Sequence, residues 1–121
     1  MLKTLLVSPN KIPEELTIKN FDVIRDYLGD WTKIIELPEG NATIISSMGS
    51  RNIKANLNRF VYPNFIYGDF IIVGRDNKGK PKNLSKKQSD YYKNYFGEES
   101  INYVISRLQM RKTVRKVFLR K

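Results

Sequence analysis

The chain has 121 residues, 40 % of them apolar and 28 % charged, and contains neither Cys nor His. That absence excludes disulfides, Cys/His zinc sites, thiol nucleophiles and His-dependent triads, so a general base would be Asp, Glu, Lys or Tyr and a metal site would be built of oxygen alone. With 22 Lys/Arg against 12 Asp/Glu the net charge is +10, which points to a polyanionic partner: nucleic acid, a nucleotide or an acidic protein surface.

Residues 2–7 read as a short strand closed by Ser8-Pro9-Asn10. Residues 13–18 are ambiguous between elements. Asn20 is placed to cap a helix over residues 21–28, with Phe21, Ile24 and Leu28 on one face and Gly29 as its stop. Residues 31–37 and 42–47 read as strands of a hairpin around Pro38-Glu39-Gly40-Asn41. Residues 48–63 read as a polar connector with a few apolar anchors. Residues 65–73 read as one strand, with Gly68 as a bulge or a point of close approach. A charged turn over residues 74–81 follows. Ser85-x-x-Gln88 has the spacing of a capping box, opening a helix that runs to about Phe96 before Gly97. Glu98-Glu99-Ser100 then opens a final segment, with acids where a helix N-terminus favours them.

The expected fold is α+β: a small, mainly antiparallel sheet with two or three packed helices and a basic C-terminal segment. Residues 1–110 are expected to form a single domain and residues 111–121 a basic extension. No apolar run approaches the length of a membrane span, and the opening Met-Leu-Lys-Thr-Leu-Leu-Val is too short for a signal sequence, so a cytoplasmic protein is expected.

Residues 107–121 concentrate the charge. Arg107, Arg111, Lys112, Arg115, Lys116, Arg120 and Lys121 are basic and no residue of the segment is acidic. They interleave with Val114, Val117, Phe118 and Leu119, which a merely solubilising tail does not need. Ile101, Val104, Ile105 and Leu108 form one apolar stripe at helical spacing. On the same wheel Val114, Val117 and Phe118 fall on nearly the opposite side. Either the element breaks near Met110, or its last third leaves the domain; a strand over residues 113–119 is a weaker fit.

Three other motifs bear on chemistry. Gly74-Arg-Asp-Asn-Lys-Gly79-Lys80-Pro81 follows a strand and matches a phosphate-binding loop except at its last position. There Pro81 replaces the hydroxyl residue that would hold magnesium, so a lysine-rich surface turn is the expected reading. Asp69 with Asp76-x-Lys78 has the residue types of a nuclease metal site but not its strand placement. Tyr91, Tyr92, Tyr95 and Phe96, near Lys86, Lys87 and Lys93, could stack bases; at helical spacing Tyr92, Tyr95 and Phe96 are expected instead to face the core.

A set of ordered landmarks runs from about residue 31 to residue 96: Ile34-Ile35-Glu36-Leu37-Pro38, Ile44-Ile45, Asn58-Arg59, Ile66-x-Gly68-x-Phe70-x-Ile72-Val73-Gly74, then Leu84-Ser85 and Gln88 leading to Tyr92 and Phe96. In these the chain resembles a small domain-of-unknown-function family of bacteriophages, plasmids and mobile elements. The resemblance implies a compact α+β domain and an accessory role, a class that includes anti-defence proteins, and it carries over no catalytic residue. Asn58 and Gly68 are placed to hold unusual backbone angles, and Arg59 offers a fork for a carboxylate or phosphate, with a structural ion pair explaining it equally well.

The expectation is a non-enzymatic accessory binding protein without a cofactor. It binds nucleic acid or another polyanion through Arg107, Arg111, Lys112, Arg115, Lys116, Arg120 and Lys121, with Asn58, Arg59, Lys86 and Lys87 as a secondary set. The alternatives are an inhibitor that docks on a host protein or on a second copy of the chain through Val114, Val117 and Phe118, forming a homo-oligomer in the second case, and an oligomeric sponge for a nucleotide signal beside Arg59.

Overall fold

The structure, a computed structural model, describes residues 1–29, 31–37, 41–48 and 56–119, with side chains through residue 109. It is α+β and, in every described pairing, antiparallel. The strands are β1 (Leu2–Val7), β2 (Glu14–Ile18), β3 (Thr32–Glu36), β4 (Ala42–Ser47), β5 (Leu57–Val61), β6 (Asn64–Tyr67), β7 (Phe70–Arg75) and β8 (Pro81–Lys82). The helices are α1 (Asp22–Leu28), α2 (Lys86–Tyr95) and α3 (Glu98–Leu119).

The main sheet has the order β2-β1-β7-β4-β3, with β8 added to β7; β5 and β6 form a separate hairpin. Register explains the core. Leu5 and Ile44 both pair with Ile72, while Leu6 and Ile45 both pair with Ile71. Because side chains alternate along a strand, the first row faces one side of the sheet and the second row the other. One face packs with Val61, Ile66, Tyr92 and Phe96 from the hairpin and α2. The opposite face packs with Ile24, Phe21 and Leu28 around α1. Strand β7 is covered on both sides, which is why its apolar residues run continuously rather than alternating.

Local signals hold at several points. The hairpin of β3 and β4 forms with Thr32 opposite Ser47. Asn20 accepts the Asp22 N–H through its side chain at 3.0 Å, and Gly29, at φ 93°, donates to the Arg25 carbonyl at 2.8 Å. The capping box at α2 is complete: Gln88 N–H to Ser85 Oγ at 3.1 Å, Ser85 N–H to Gln88 Oε1 at 3.0 Å.

Two expectations are corrected and two open readings are resolved. The ambiguous stretch before Ile18 is the edge strand β2. The connector contains strand β5, hidden because the two central side chains it buries are Asn58 and Arg59. The single strand expected over residues 65–73 is two, β6 and β7, since Gly68 at φ 73° turns the chain between the two sheets. The backbone does not break at Met110, and residues 113–119 are not a strand: α3 is one helix of 22 residues, about 33 Å long at 1.5 Å per residue. Of its early apolar stripe Val104 is buried, whereas Ile105 and Leu108 are exposed.

Candidate functional site

Asn58 and Arg59 lie at the junction of both sheets and α2. Asn58 Nδ2 donates to the Val7 carbonyl at 2.8 Å and the Gly68 carbonyl at 2.7 Å. This bridges the end of β1 to the bend before β7. Asn58 itself is not among the residues at positive φ; Gly68 is. Arg59 is 0 % exposed. Its Nη1 donates to the Asn58 backbone carbonyl and Oδ1, and its Nη2 to the carbonyls of Lys11 and Phe96 at 2.7 and 2.9 Å, while Nε has no partner among the described residues. Burial pushes the guanidinium down to about 10, still charged at neutral pH. The Phe96 carbonyl ends α2, where the helix dipole is negative, so a cation there is favoured.

The expected secondary set is therefore split. Lys86 and Lys87 are exposed in the first turn of α2, and Arg59 meets the other end of that helix, about 15 Å away. Lys86 borders an open cleft of about 450 Å³ shared with Glu15, Ser89, Asp90 and Lys93. In it Lys93 Nζ pairs with Glu15 Oε1 at 2.8 Å and holds that carboxyl below its ordinary range.

The phosphate-loop resemblance resolves as the β7–β8 turn. The Asp76 carboxylate accepts the N–H groups of Lys78 and Lys80 at 2.8 and 2.9 Å. Those are donors a phosphate would need, and Asp76 is held below the usual carboxylate range by them. Gly74 serves packing: a Cβ there would lie 2.8 Å from the Lys82 carbonyl oxygen of β8. Asp69 and Asp76 flank opposite ends of β7, about 23 Å apart at a strand's rise per residue, too far to share a metal ion. Asp69 instead accepts the Tyr27 hydroxyl hydrogen, which pushes Tyr27 up to about 12. No group of three or more acidic residues capable of holding a metal occurs among the described residues.

Tyr92 and Phe96 are buried as expected, but Tyr95 is exposed and stacks on Tyr91, with ring centroids 6.1 Å apart. A second aromatic group was not legible in the sequence. Phe60 of β5 packs against Phe65 of β6 (4.6 Å), Tyr62 (6.2 Å) and Tyr103 of α3 (6.2 Å, interplanar 29°). The Arg107 guanidinium lies 6.0 Å from the Phe65 ring centroid. Its signal was the Phe60-x-Tyr62 alternation facing Tyr103 and Arg107 at i, i+4, visible only once β5 is recognised as a strand. Of the seven basic residues proposed as a binding segment, Arg107 has a described side chain, at this group; residues 111, 112, 115 and 116 fall on the α3 backbone, and residues 120 and 121 lie outside the described residues.

A family model described as a domain of unknown function (DUF3846) matches residues 2–97. The chain belongs to that family. The DUF3846 match includes β1, β2 and α1, which the landmarks had left outside, and it ends at the residue before α3 begins. No curated protein and no solved structure matches the chain significantly. The DUF3846 match thus covers both sheets, α1 and α2, and α3 lies outside it. No helix among the described residues is long and apolar enough to cross a membrane.

Proposed function

We propose that this chain is a non-enzymatic accessory protein that binds nucleic acid, through phosphate contacts from the basic residues of α3, inside the host cell of a phage or other mobile element. One observation carries the reading: α3 is a single helix beginning where the family domain ends, and from residue 100 onward the sequence has seven basic and no acidic residues. Positions 107, 111 and 115, and 112 and 116, repeat at intervals of four, which aligns them along a helix. Phosphate contacts of this kind supply affinity without base preference. The test is electrophoretic or fluorescence binding of the purified protein to a DNA duplex. Binding that survives removal of residues 111–121 undiminished, or that ignores salt, overturns the reading.

A second reading, an anti-defence inhibitor docking on a host protein, draws on the exposure of Ile105 and Leu108 on α3. Copurification with one host protein, unaffected by nuclease, favours it over nucleic-acid binding. The nucleotide-sponge reading gains no such support, because the hydrogens of both Arg59 Nη groups are directed at protein oxygens.

A further inference from the structure

We propose that the aromatic group formed by Tyr62, Phe65 and Tyr103 beside Arg107 is a base-stacking platform, making single-stranded nucleic acid the preferred ligand. This rests on the binding function proposed for α3 and names its substrate class.

Phe60 is the half-buried centre of the group, sandwiched between Phe65 and Tyr103 at 4.6 and 6.2 Å. Packing accounts for that ring. It does not account for the outer ones. Tyr62 is 85 % exposed at the turn between β5 and β6, Tyr103 is 46 % exposed and Phe65 39 %. Three large rings on one patch, around a hairpin and a helix already joined through Phe60, are more apolar surface than holding α3 requires.

Charge selects the occupant. Arg107 lies over Phe65, and no carboxylate pairs with it among the described residues. Arg107 is also the first basic residue of the run that continues along α3. Phe65 also lines a cleft of about 250 Å³ whose lining includes Lys33, Ser46, Ser47 and Asn64, with Lys33 Nζ donating to Asn64 Oδ1 at 2.9 Å. Rings flanked by cations and small polar groups match a strand whose bases are unpaired and whose backbone is anionic. A duplex keeps its bases stacked on one another and cannot use the rings.

The experiment compares fluorescein-labelled oligo(dT) and oligo(U) 20-mers with a 20-base-pair duplex, using the full chain. The wild type is expected to bind the single strands more tightly than the duplex. Tyr62→Ala with Tyr103→Leu, which retains apolar bulk against Phe60, should weaken single-strand binding by about 5-fold or more per ring removed and change duplex binding less than about twofold. Tyr62→Phe, which retains the ring, should bind as the wild type does. Unchanged single-strand affinity in the Tyr62→Ala, Tyr103→Leu variant, with its fold confirmed by circular dichroism, overturns the platform while leaving phosphate binding by α3 intact. Equal loss on all three probes overturns it too. A wild type that binds none of the probes overturns the function proposed for α3 and the platform together. A dimer abolished by Tyr62→Ala, with oligonucleotide binding unaffected, assigns the patch to a second copy of the chain and likewise overturns it.

Discussion

The family domain and helix α3 handle a buried-side and an outer-side arginine in opposite ways. Arg59 is sealed among backbone carbonyls and the Asn58 side chain, where its charge fastens β5 to the segment at Lys11 and the end of α2, while Asn58 Nδ2 ties β5 to the end of β1. Arg107 sits over an exposed ring, at the start of a run of cations without acids. The contrast teaches that a guanidinium's role follows from the company of its five hydrogens. Where protein oxygens take them it is a fastener, and where none does it is available to an outside anion. Mutations in the two regions should therefore separate cleanly, the first set changing stability and the second changing binding.

The largest expected effect on stability is at Arg59. Arg59→Met keeps bulk but strands several buried carbonyls, and should cost about 3 kcal/mol or more in urea unfolding. A loss under about 1 kcal/mol would mean that the fastening role is wrong. Next is Gly74→Ala, whose methyl would meet the Lys82 and Asn83 carbonyl oxygens at 2.8 and 2.9 Å. Prying β8 from β7 should cost about 1–3 kcal/mol. If nucleotide binding changed and stability did not, the phosphate-loop reading would return. Ser85→Ala removes one half of the capping box and should cost about 1 kcal/mol by the same unfolding assay, with oligonucleotide affinity unchanged.

The smallest effect is a titration. Tyr27 holds its proton to about pH 12 because Asp69 accepts it, against 10 for a free tyrosine. The native state binds the proton more tightly, so the contribution of this bond is fully present below pH 10 and is lost as pH rises from 10 through 12. Tyr27→Phe should delete a late-titrating ring from the phenolate absorbance curve. Deletion of a ring that titrates near pH 10 would show the bond to be absent in solution.

Much of the fold was legible where local chemistry and tertiary need agree. The capping box at Ser85 and Gln88, the pairing of β3 with β4 and the stop at Gly29 all formed where their residue types require, while residues 38–40 of the expected turn lie outside the described residues. Strand β5 was illegible because its buried positions are filled by an amide and a guanidinium, and hydropathy cannot see a core built on hydrogen bonds to another segment's carbonyls. β6 and β7 read as one strand because β-branched and aromatic residues crowd both sides of Gly68-Asp69, and only the positive φ of Gly68 reveals two sheets. The unbroken α3 shows a different limit. The change of apolar face near Met110 signals where a helix stops matching its own domain, and it was open whether the helix would also stop.

The site divides in the same way. The basic run could be read directly from charge, whereas the rings of Phe60, Tyr62, Phe65 and Tyr103 are brought together by a strand that the sequence concealed. Asn58 and Arg59 drew attention as an adjacent polar pair, yet their use is internal, which only burial and partners reveal.

The contrast between the two regions is tested most directly by the salt dependence of binding in the full chain. Duplex affinity should fall with salt along a log–log slope near about −6 if all seven basic residues contact phosphates, at about −0.9 per contact. Replacing Arg111, Lys112, Arg115 and Lys116 together with Gln should shrink that slope by about 3 to 4 while leaving the urea midpoint nearly unchanged. A slope that the four substitutions do not alter, or binding with no salt dependence at all, would contradict the assignment of nucleic-acid binding to α3.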